Sequence, residues 1–271
     1  MIRGLLENLR SAKNFKGSFS NKMSLLATLN SLSIKSNLFK KYQSEVSTTF
    51  LSYKIFGYHY NTLAFLIKEI FLSNDYCFKP STRKPVIIDC GSNIGVSVLF
   101  FKNLFPDAKI IAFEANPYAF KMLDKNVNAN NLKNVESHNI ALYDKETELS
   151  FFIGDEGPLL GSVREDRGGK IHLKIQAQKL SYYLDNLETV DLIKMDVEGA
   201  EVNIINDLIE TATINKAKEY IIEYHHNMNN DKSDLSSFLQ KFEANGFNYN
   251  IKAGYPKLKC FQDMMIHFYK Q

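Results

Sequence analysis

The stretch from Val86 to Glu114, VIIDCGSNIGVSVLFFKNLFPDAKIIAFE, limits what this chain can fold into more than any other. Val86-Ile87-Ile88 is a short apolar run of β-branched residues, the pattern of a parallel strand covered on both faces. It ends in Asp89-Cys90-Gly91, and Gly91 and Gly95 bracket Ser92, Asn93 and Ile94, so the backbone can turn tightly and a ligand can lie against it. A helix is predicted from about Asn93 to Leu104, stopped by Pro106-Asp107, and then a second strand from Lys109 to Phe113 that ends at Glu114. This is a strand-loop-helix-strand crossover, the unit of a doubly wound α/β sheet.

The chemistry of the loop separates cofactors. A dinucleotide site needs G-x-G-x-x-G so that bare backbone can approach a pyrophosphate at the helix start. The pattern here is D-x-G-x-x-x-G, and an Asp before the glycines opposes a pyrophosphate while suiting a ligand with an ammonium and a sulfonium. Glu114, 25 residues after Asp89, stands where a carboxylate can accept both hydroxyls of an adenosine ribose. S-adenosyl-L-methionine carries all of these groups. A nicotinamide-dependent oxidoreductase is the disfavoured alternative, and a non-catalytic module that binds the methyl donor or a partner is the other.

The remaining crossovers follow in order. Asn116 is an N-cap with Pro117 at the first helical position, and Phe120, Leu123 and Val127 share one helix face. Asn134 to Leu142 is expected as a third strand whose end, including Ala141, borders the adenine. Glu148 to Ile153 and Lys170 to Gln176 alternate as antiparallel strands around a loop containing Gly154, Gly157, Pro158, Gly161, Gly168 and Gly169, an insertion at about 144–180 with the length and glycine content of a lid. Val190 to Val197 is the fourth parallel strand, and the helix after it is expected to turn Val202, Ile205 and Leu208 inward. Asp196 lies at the carboxyl end of that strand, the edge where open α/β sheets bind ligands. Glu198 and Glu201 crowd the same place, where acids also stabilise a helix N-terminus. Glu219 to His225 is the fifth strand, placing Glu223 and His225 on one face beside Asp196. A His oriented by the Glu223 carboxylate is a suitable general base. Asp196, His225 and Glu223 are therefore the expected catalytic groups, with no metal assigned, although hard oxygen ligands on Asp196, Glu198 and Glu223 would suit magnesium. Leu235 to Asn245 is a last helix stopped by Gly246, and Phe247 to Ile251 with Met264 to Tyr269 form an antiparallel edge pair.

Before Val86 the pattern differs. Residues 1–45 hold eight Lys or Arg against Glu7 and Glu45. Ile2, Leu5, Leu6 and Leu9 recur at helical spacing, compatible with packing on the main domain or weak contact with a membrane surface. Breaks such as Ser18-Phe19-Ser20-Asn21 predict several small helices, Phe50 to Tyr60 a hairpin, and Thr62 to Ser73 a helix with Leu63, Leu66, Ile67 and Ile70 on one stripe. Residues 1–80 thus read as a mainly helical cap on a domain spanning 81–271. The 33 basic and 30 acidic residues provide no field to recruit nucleic acid. Cys77, Cys90 and Cys260 form no C-x-x-C and read as buried thiols of a reducing compartment. No apolar run reaches the roughly 18 residues of a spanning helix, because Lys68-Glu69 interrupts the best one. A cytoplasmic location is expected.

Five segments together resemble the FkbM-type S-adenosylmethionine methyltransferases: IIDCGSNIGVSV (87–98), IIAFEANP (110–117), NIAL (139–142), DLIKMDVEGAE (191–201) and IIEYHH (221–226). The D-V-E-G-A-E block is the most diagnostic. The resemblance implies a class I methyltransferase fold, Rossmann-like and mostly parallel, with seven strands of which one is reversed. It implies O-methylation of a glycan or secondary-metabolite acceptor with a free hydroxyl. It also implies cofactor contacts from Asp89, Gly91, Asn93, Gly95 and Glu114, with Ser97 and Ala141 as lesser members; Ser92 and Asn116, beside them in the loop and at the helix cap, complete the expected cofactor-binding set. The segment before about Val46 lies outside these motifs.

Overall fold

The structure, a computed structural model, describes residues 2–39, 45–153, 161–162, 171–226, 235–254 and 262–270. The chain begins with α1 (Ile2–Asn14) and α2 (Phe19–Leu38), then a hairpin of β1 (Val46–Phe50) and β2 (Tyr53–Gly57), then α3 (Tyr60–Leu72). Instead of several small helices, α2 runs unbroken for 20 residues, capped by Ser18, whose side chain accepts from the Asn21 amide. The hairpin starts earlier than its aromatic residues suggest, and its turn places Leu51 and Ser52 at positive φ. The predicted stripe of α3 is buried, joined by Phe71.

The crossovers follow: β3 (Val86–Cys90), α4 (Val96–Leu104), β4 (Lys109–Phe113), α5 (Pro117–Ala129) and β5 (Val135–His138). A second group contains β6 (Ala141–Tyr143), β7 (Thr147–Ile153), β8 (Gly161–Ser162) and β9 (Ile171–Lys179). The chain closes with α6 (Leu180–Asp185), β10 (Val190–Met195), α7 (Glu201–Glu210), β11 (Ala217–His226), α8 (Leu235–Glu243), β12 (Asn248–Ala253) and β13 (Gln262–Tyr269).

The main sheet has seven strands in the order β12-β13-β11-β10-β3-β4-β5, and β13 is the reversed strand. From β3 the chain builds outward through β4 and β5, then returns to add β10 and β11 on the other side. The topological switch therefore lies between β3 and β10, where an open α/β sheet forms its ligand crevice. Alternate strand residues feed opposite layers, as the period of 2 requires. Ile87, Ile110, Leu192 and Ile221 face the cap, α4 and α5, whereas Ile88, Ile111, Ile193 and Ile222 belong to the core under α6, α7 and α8. Phe50 stacks edge-on against Phe71 at 5.1 Å and Phe71 against Phe100 at 5.3 Å, so α1, α2, α3 and the hairpin share one hydrophobic core with the sheet.

Several local expectations are corrected. The segment Asn134 to Leu142 is two strands: β5 stays in the main sheet, and β6 pairs in parallel with β9 in a separate four-stranded sheet. Asn139 marks the break, its side-chain amide donating to the Glu114 and Ala115 carbonyls at 2.8 and 3.2 Å. The first crossover helix begins at Val96 rather than Asn93, because Asn93 and Gly95 have φ of 49° and 83°. In α7 the inward stripe is Glu201, Ile204, Ile205 and Leu208, and Val202 faces outward. Cys77 is exposed, while Cys90 is buried. The predicted antiparallel pair of β7 and β9 is present, but most of the intervening glycine loop, and Cys260, lie outside the described residues. Among the described residues no helix is long and apolar enough to cross a membrane.

Candidate functional site

At the switch point the loop after β3 lies against the end of β10. The Gly91 and Ser92 amides donate to the Phe113 carbonyl at 2.9 Å, and the Asp196 amide donates to the Cys90 carbonyl at 3.0 Å. Gly91 has φ +77°, and a Cβ there would lie 1.7 Å from the Asp196 carbonyl oxygen. A Cβ on Gly95 would meet Leu123 Cδ1 at 2.6 Å. Gly91 is thus demanded by backbone packing, whatever ligand approaches the loop, whereas at Gly95 the Leu123 side chain can move and the φ of +83° is what favours glycine. Asn126, on the inward stripe of α5, holds the loop from beneath by donating to the Ile94 carbonyl at 2.7 Å and exchanging hydrogen bonds with Phe56. The signal for Asn126 in the sequence is a polar residue on an otherwise apolar inward stripe.

A cleft of about 740 Å³, open mouth included, lies above this loop, within the range of small-molecule sites. Gly91, Asn93, Glu114, Asn116, Ala141 and Asp196 line it. Glu114 accepts from the Asn93 amide at 2.7 Å on one oxygen and from the Asn116 amide at 2.8 Å on the other. Each carboxylate oxygen accepts more than one bond, so this clamp leaves acceptor capacity beside the cleft. Burial pushes the Glu114 carboxyl up to about 7, against the lowering pull of the two amides. Phe113, Ile140, Leu142 and Phe151 add apolar walls. Phe151 comes from the second sheet, which no sequence pattern tied to the cleft.

The other expected cofactor residues sit behind this wall. Ser97 Oγ donates to Asp89 Oδ2 at 2.6 Å, and Ser92 Oγ donates to the Asp89 carbonyl at 2.9 Å. The Asp89 carboxylate faces Lys194, whose ammonium is 3.3 Å from Oδ1. Lys194 balances its charge, while Oδ1 accepts no hydrogen bond. Lys194 is 2% exposed, donates to the Gly91 carbonyl at 2.7 Å and approaches Asp196 Oδ2 at 3.9 Å. Burial favours a neutral amine, but Asp89, Tyr76 and Asp196 hold this one charged, with its pKa raised. The sequence places Lys194 beside Asp196 by period 2 without revealing that it ties two strand ends together.

His225 stands next to Asp196, as expected from adjacent β10 and β11, with Nε2 4.0 Å from Asp196 Oδ1, 3.3 Å from Glu198 Oε2 and 3.8 Å from Asp263 Oδ1. The carboxylate that orients the ring is Glu201, not Glu223, through a 2.6 Å bond to Nδ1. Burial disfavours the charged ring, but Glu201, Asp196 and Glu198 outweigh it and push the His225 pKa up to about 10. These carboxylates favour the charged ring, in contrast to the near-neutral base expected here. Glu223 is raised, first by burial and then by Asp196.

Asp196, Glu198 and His225 bring ligand atoms within 4.8 Å of one another, as do Glu223, His225 and Asp263. Between themselves the same groups form an ion-pair network centred on the His225 ring. The melting temperature is expected to be the same in excess EDTA as in excess magnesium; a rise of several degrees with the ion would make the cluster a metal site.

The family model described as the methyltransferase FkbM domain matches residues 89–249, from the end of β3 into β12. The chain belongs to the FkbM methyltransferase family. Its relatives include methyltransferase 1 of Beauveria bassiana, 28% identical over 165 residues, covering 53% of this chain and 66% of that protein. Methyltransferase sdnD of Sordaria araneosa is 30% identical over 178 residues, 54% of this chain and 69% of the relative. The 2-O-methyltransferase NoeI of Sinorhizobium fredii is 30% identical over 146 residues, 48% and 59% of the two chains. This chain therefore spans about two thirds or less of these relatives. Among solved structures, the methyltransferase FkbM from Methylobacillus flagellatus KT shares the fold, with a TM-score of 0.51 and 13% identity over 99% of this chain and 59% of that one. The FkbM match includes the whole D-V-E-G-A-E block and leaves the cap outside it.

Proposed function

We propose that this FkbM methyltransferase binds S-adenosylmethionine in the cleft at the switch point and methylates a hydroxyl group of an acceptor. The observation that carries this reading is Glu114: a carboxylate fixed by two backbone amides at the end of the second parallel strand, beside an apolar wall. Its remaining acceptor capacity suits a ribose diol, while Ala141, Leu142 and Phe113 offer a surface for a flat base. The donor set of Glu114, Asn93 and Asn116 fits the nucleoside half of the cofactor. Asp89, Ser92, Gly95 and Ser97 support that wall from behind. When bound, the cofactor supplies an electrophilic methyl on a sulfonium sulfur that departs as a neutral thioether.

The chain's own work is then to hold the acceptor hydroxyl and take its proton. Asp196 lines the cleft with a side chain 28% exposed, and we assign it as the proton acceptor. Lys194 and the His225 imidazolium, at 3.9 and 4.0 Å, keep the Asp196 carboxylate in place. Glu201, through His225, is a positioning residue, and Glu223 faces the acceptor side. The name of the NoeI relative, a 2-O-methyltransferase, favours oxygen as the accepting atom.

Calorimetric titration with S-adenosylmethionine and, separately, NAD tests the reading. Saturable binding of the methyl donor without NAD binding is expected, and Glu114→Gln is expected to weaken it by about 10- to 100-fold, as for a lost hydrogen bond to a charged group. Hydroxyls donate best to the ionised carboxylate, and Glu114 ionises near pH 7. Affinity should therefore rise about tenfold between pH 6 and pH 8 in the wild type, following the ionised fraction, and stay flat in Glu114→Gln. NAD binding, or a donor affinity indifferent to Glu114, would overturn the assignment.

A further inference from the structure

The helix α1 is held to the protein by its polar side. It buries Asn8 and Ala12, and Asn8 donates to Asn30 Oδ1 at 3.0 Å and to Ser33 Oγ at 3.1 Å on α2. Leu6, Leu9, Arg10 and Lys13 recur three and four residues apart, which puts them on one helix face, and all four are exposed. Of the leucines that the sequence sets at helical spacing in α1, only Leu5 is turned partly inward. In α2 the inward stripe is Leu25, Thr28, Leu29 and Leu32. A second apolar stripe, Phe19, Met23, Ile34 and Leu38, follows at nearly whole turns and stays in solvent. Phe19 and Leu38, at its two ends, are 79% and 71% exposed, so the stripe runs the length of the helix. Ile34 shares a groove with Gly4 and Leu5, which sets this stripe beside α1.

Single exposed apolar residues are ordinary on any surface, whereas a concentration of them marks a contact. Of the thirteen large apolar side chains exposed among the described residues, seven lie between Leu6 and Phe39. Charge gathers in the same segment. Residues 1–39 carry six Lys or Arg against Glu7 alone, whereas the rest of the chain has slightly more acids than bases. Arg10, Lys13 and Lys16 are exposed, and the Lys22 ammonium donates to the Lys13 carbonyl at 3.1 Å, so cations collect at the turn between the two helices, beside Phe19. A nucleic acid would answer the charge and leave the leucines unexplained. A second copy of this chain would cover the leucines but bring the same cations against each other. An anionic lipid surface answers both, because its phosphates attract the cations and the boundary of its acyl chains takes the apolar side chains.

We propose that the outer face of α1 and α2 docks this protein on an anionic membrane surface. Leu6, Leu9, Phe19, Met23, Ile34 and Leu38 enter the headgroup boundary, and Arg10, Lys13 and Lys16 meet lipid phosphates. The helices lie along the surface, and no helix among the described residues is long and apolar enough to cross it. Leu25, Leu29 and Leu32 keep α2 in the core shared with the sheet, so docking needs no unfolding of the cap. The face lies outside the segment that matches the FkbM model, and none of its residues lines the cleft at the switch point. Docking is therefore separable from donor binding and does not depend on the methyltransferase reading.

The test is co-sedimentation of the full chain with vesicles of phosphatidylcholine alone and of phosphatidylglycerol and phosphatidylcholine in equal parts. Saturable binding to the anionic vesicles is expected, tighter than to the neutral ones by about tenfold or more and weakened by salt. Arg10→Gln with Lys13→Gln should weaken it about 25-fold, at about fivefold for each basic residue near the surface. Leu6→Ser with Leu38→Ser should weaken it by about tenfold or more, because both leucines lose their apolar burial in the lipid. All four side chains are exposed, so both variants should keep the wild-type melting temperature and the wild-type affinity for S-adenosylmethionine. Absence of binding to anionic vesicles, equal binding to both lipids, or binding indifferent to the leucine pair overturns the proposal. So does a dimer that forms without lipid in sedimentation equilibrium and is broken by the leucine pair, since a second copy would then cover the face.

Discussion

Gly91→Ala is expected to destabilise this protein by about 4 kcal/mol or more, enough to abolish most of a typical domain's stability. The added methyl carbon would sit 1.7 Å from the Asp196 carbonyl oxygen, and that oxygen belongs to backbone, which cannot swing aside. The same backbone is pinned, since the Asp196 amide donates to the Cys90 carbonyl and Met195 is in register with Cys90. Relief requires β3 and β10 to part at the switch point, breaking the contact between Lys194 and the Gly91 carbonyl as well. The φ of +77° adds the ordinary left-handed penalty of about 1–2 kcal/mol. Gly246 is the control, because its φ is +80° but a Cβ there meets nothing within 4 Å. Urea denaturation should show Gly246→Ala losing only the left-handed penalty, while Gly91→Ala loses its cooperative transition or shifts it to far lower denaturant. Equal midpoints for the two variants would show that the strand ends are not locked together.

The largest functional effect is expected at Asp196. Asp196→Asn keeps the shape of the side chain and removes its capacity to take a proton, so turnover with any acceptor the wild type methylates should fall by about 10² to 10⁴. Donor affinity should hold within about twofold, because the clamp on the nucleoside half is Glu114 rather than Asp196. His225→Gln should act more weakly, through the placement of Asp196, and Glu201→Gln should act in the same direction through His225. If Asp196→Asn turns over at the wild-type rate with wild-type donor affinity, proton transfer lies elsewhere, and Glu223, raised by burial, is the next group to test.

The strands β3 and β4 were legible because each is a short apolar run closed by a glycine or an acid, and burial on both faces leaves no room for polar alternation. The helix stripes of α3 and α5 were legible for the related reason that a helix packed on one side repeats its apolar positions every three or four residues. Where the reading failed, a distant partner was the cause. Asn134 to Leu142 looks like one strand, yet the chain leaves the main sheet at Asn139, whose side chain is held by the Glu114 and Ala115 carbonyls. Val202 looks inward, but α7 starts at Glu201 and buries that acid against His225 instead. In its local context Glu201 is an acid at a helix start, and no local signal shows it bonded to a ring 24 residues further along.

By itself the sequence determined the strand-loop-helix-strand unit, the carboxylate at position 114, the acids after β10 and membership of a methyltransferase family, because these depend on residues close together in the chain. The tertiary structure decided which of those residues face the cleft and which brace it. Asp89, expected to meet a ligand, is turned to Lys194, and Lys194 reaches the Cys90 and Gly91 carbonyls 104 and 103 residues away. It also set the protonation of His225, since that ring's charge is the sum of burial and of carboxylates brought in by β10, α7 and β13. Electrostatic environment is a property of distances through space, and no spacing along the chain encodes it until the sheet has closed.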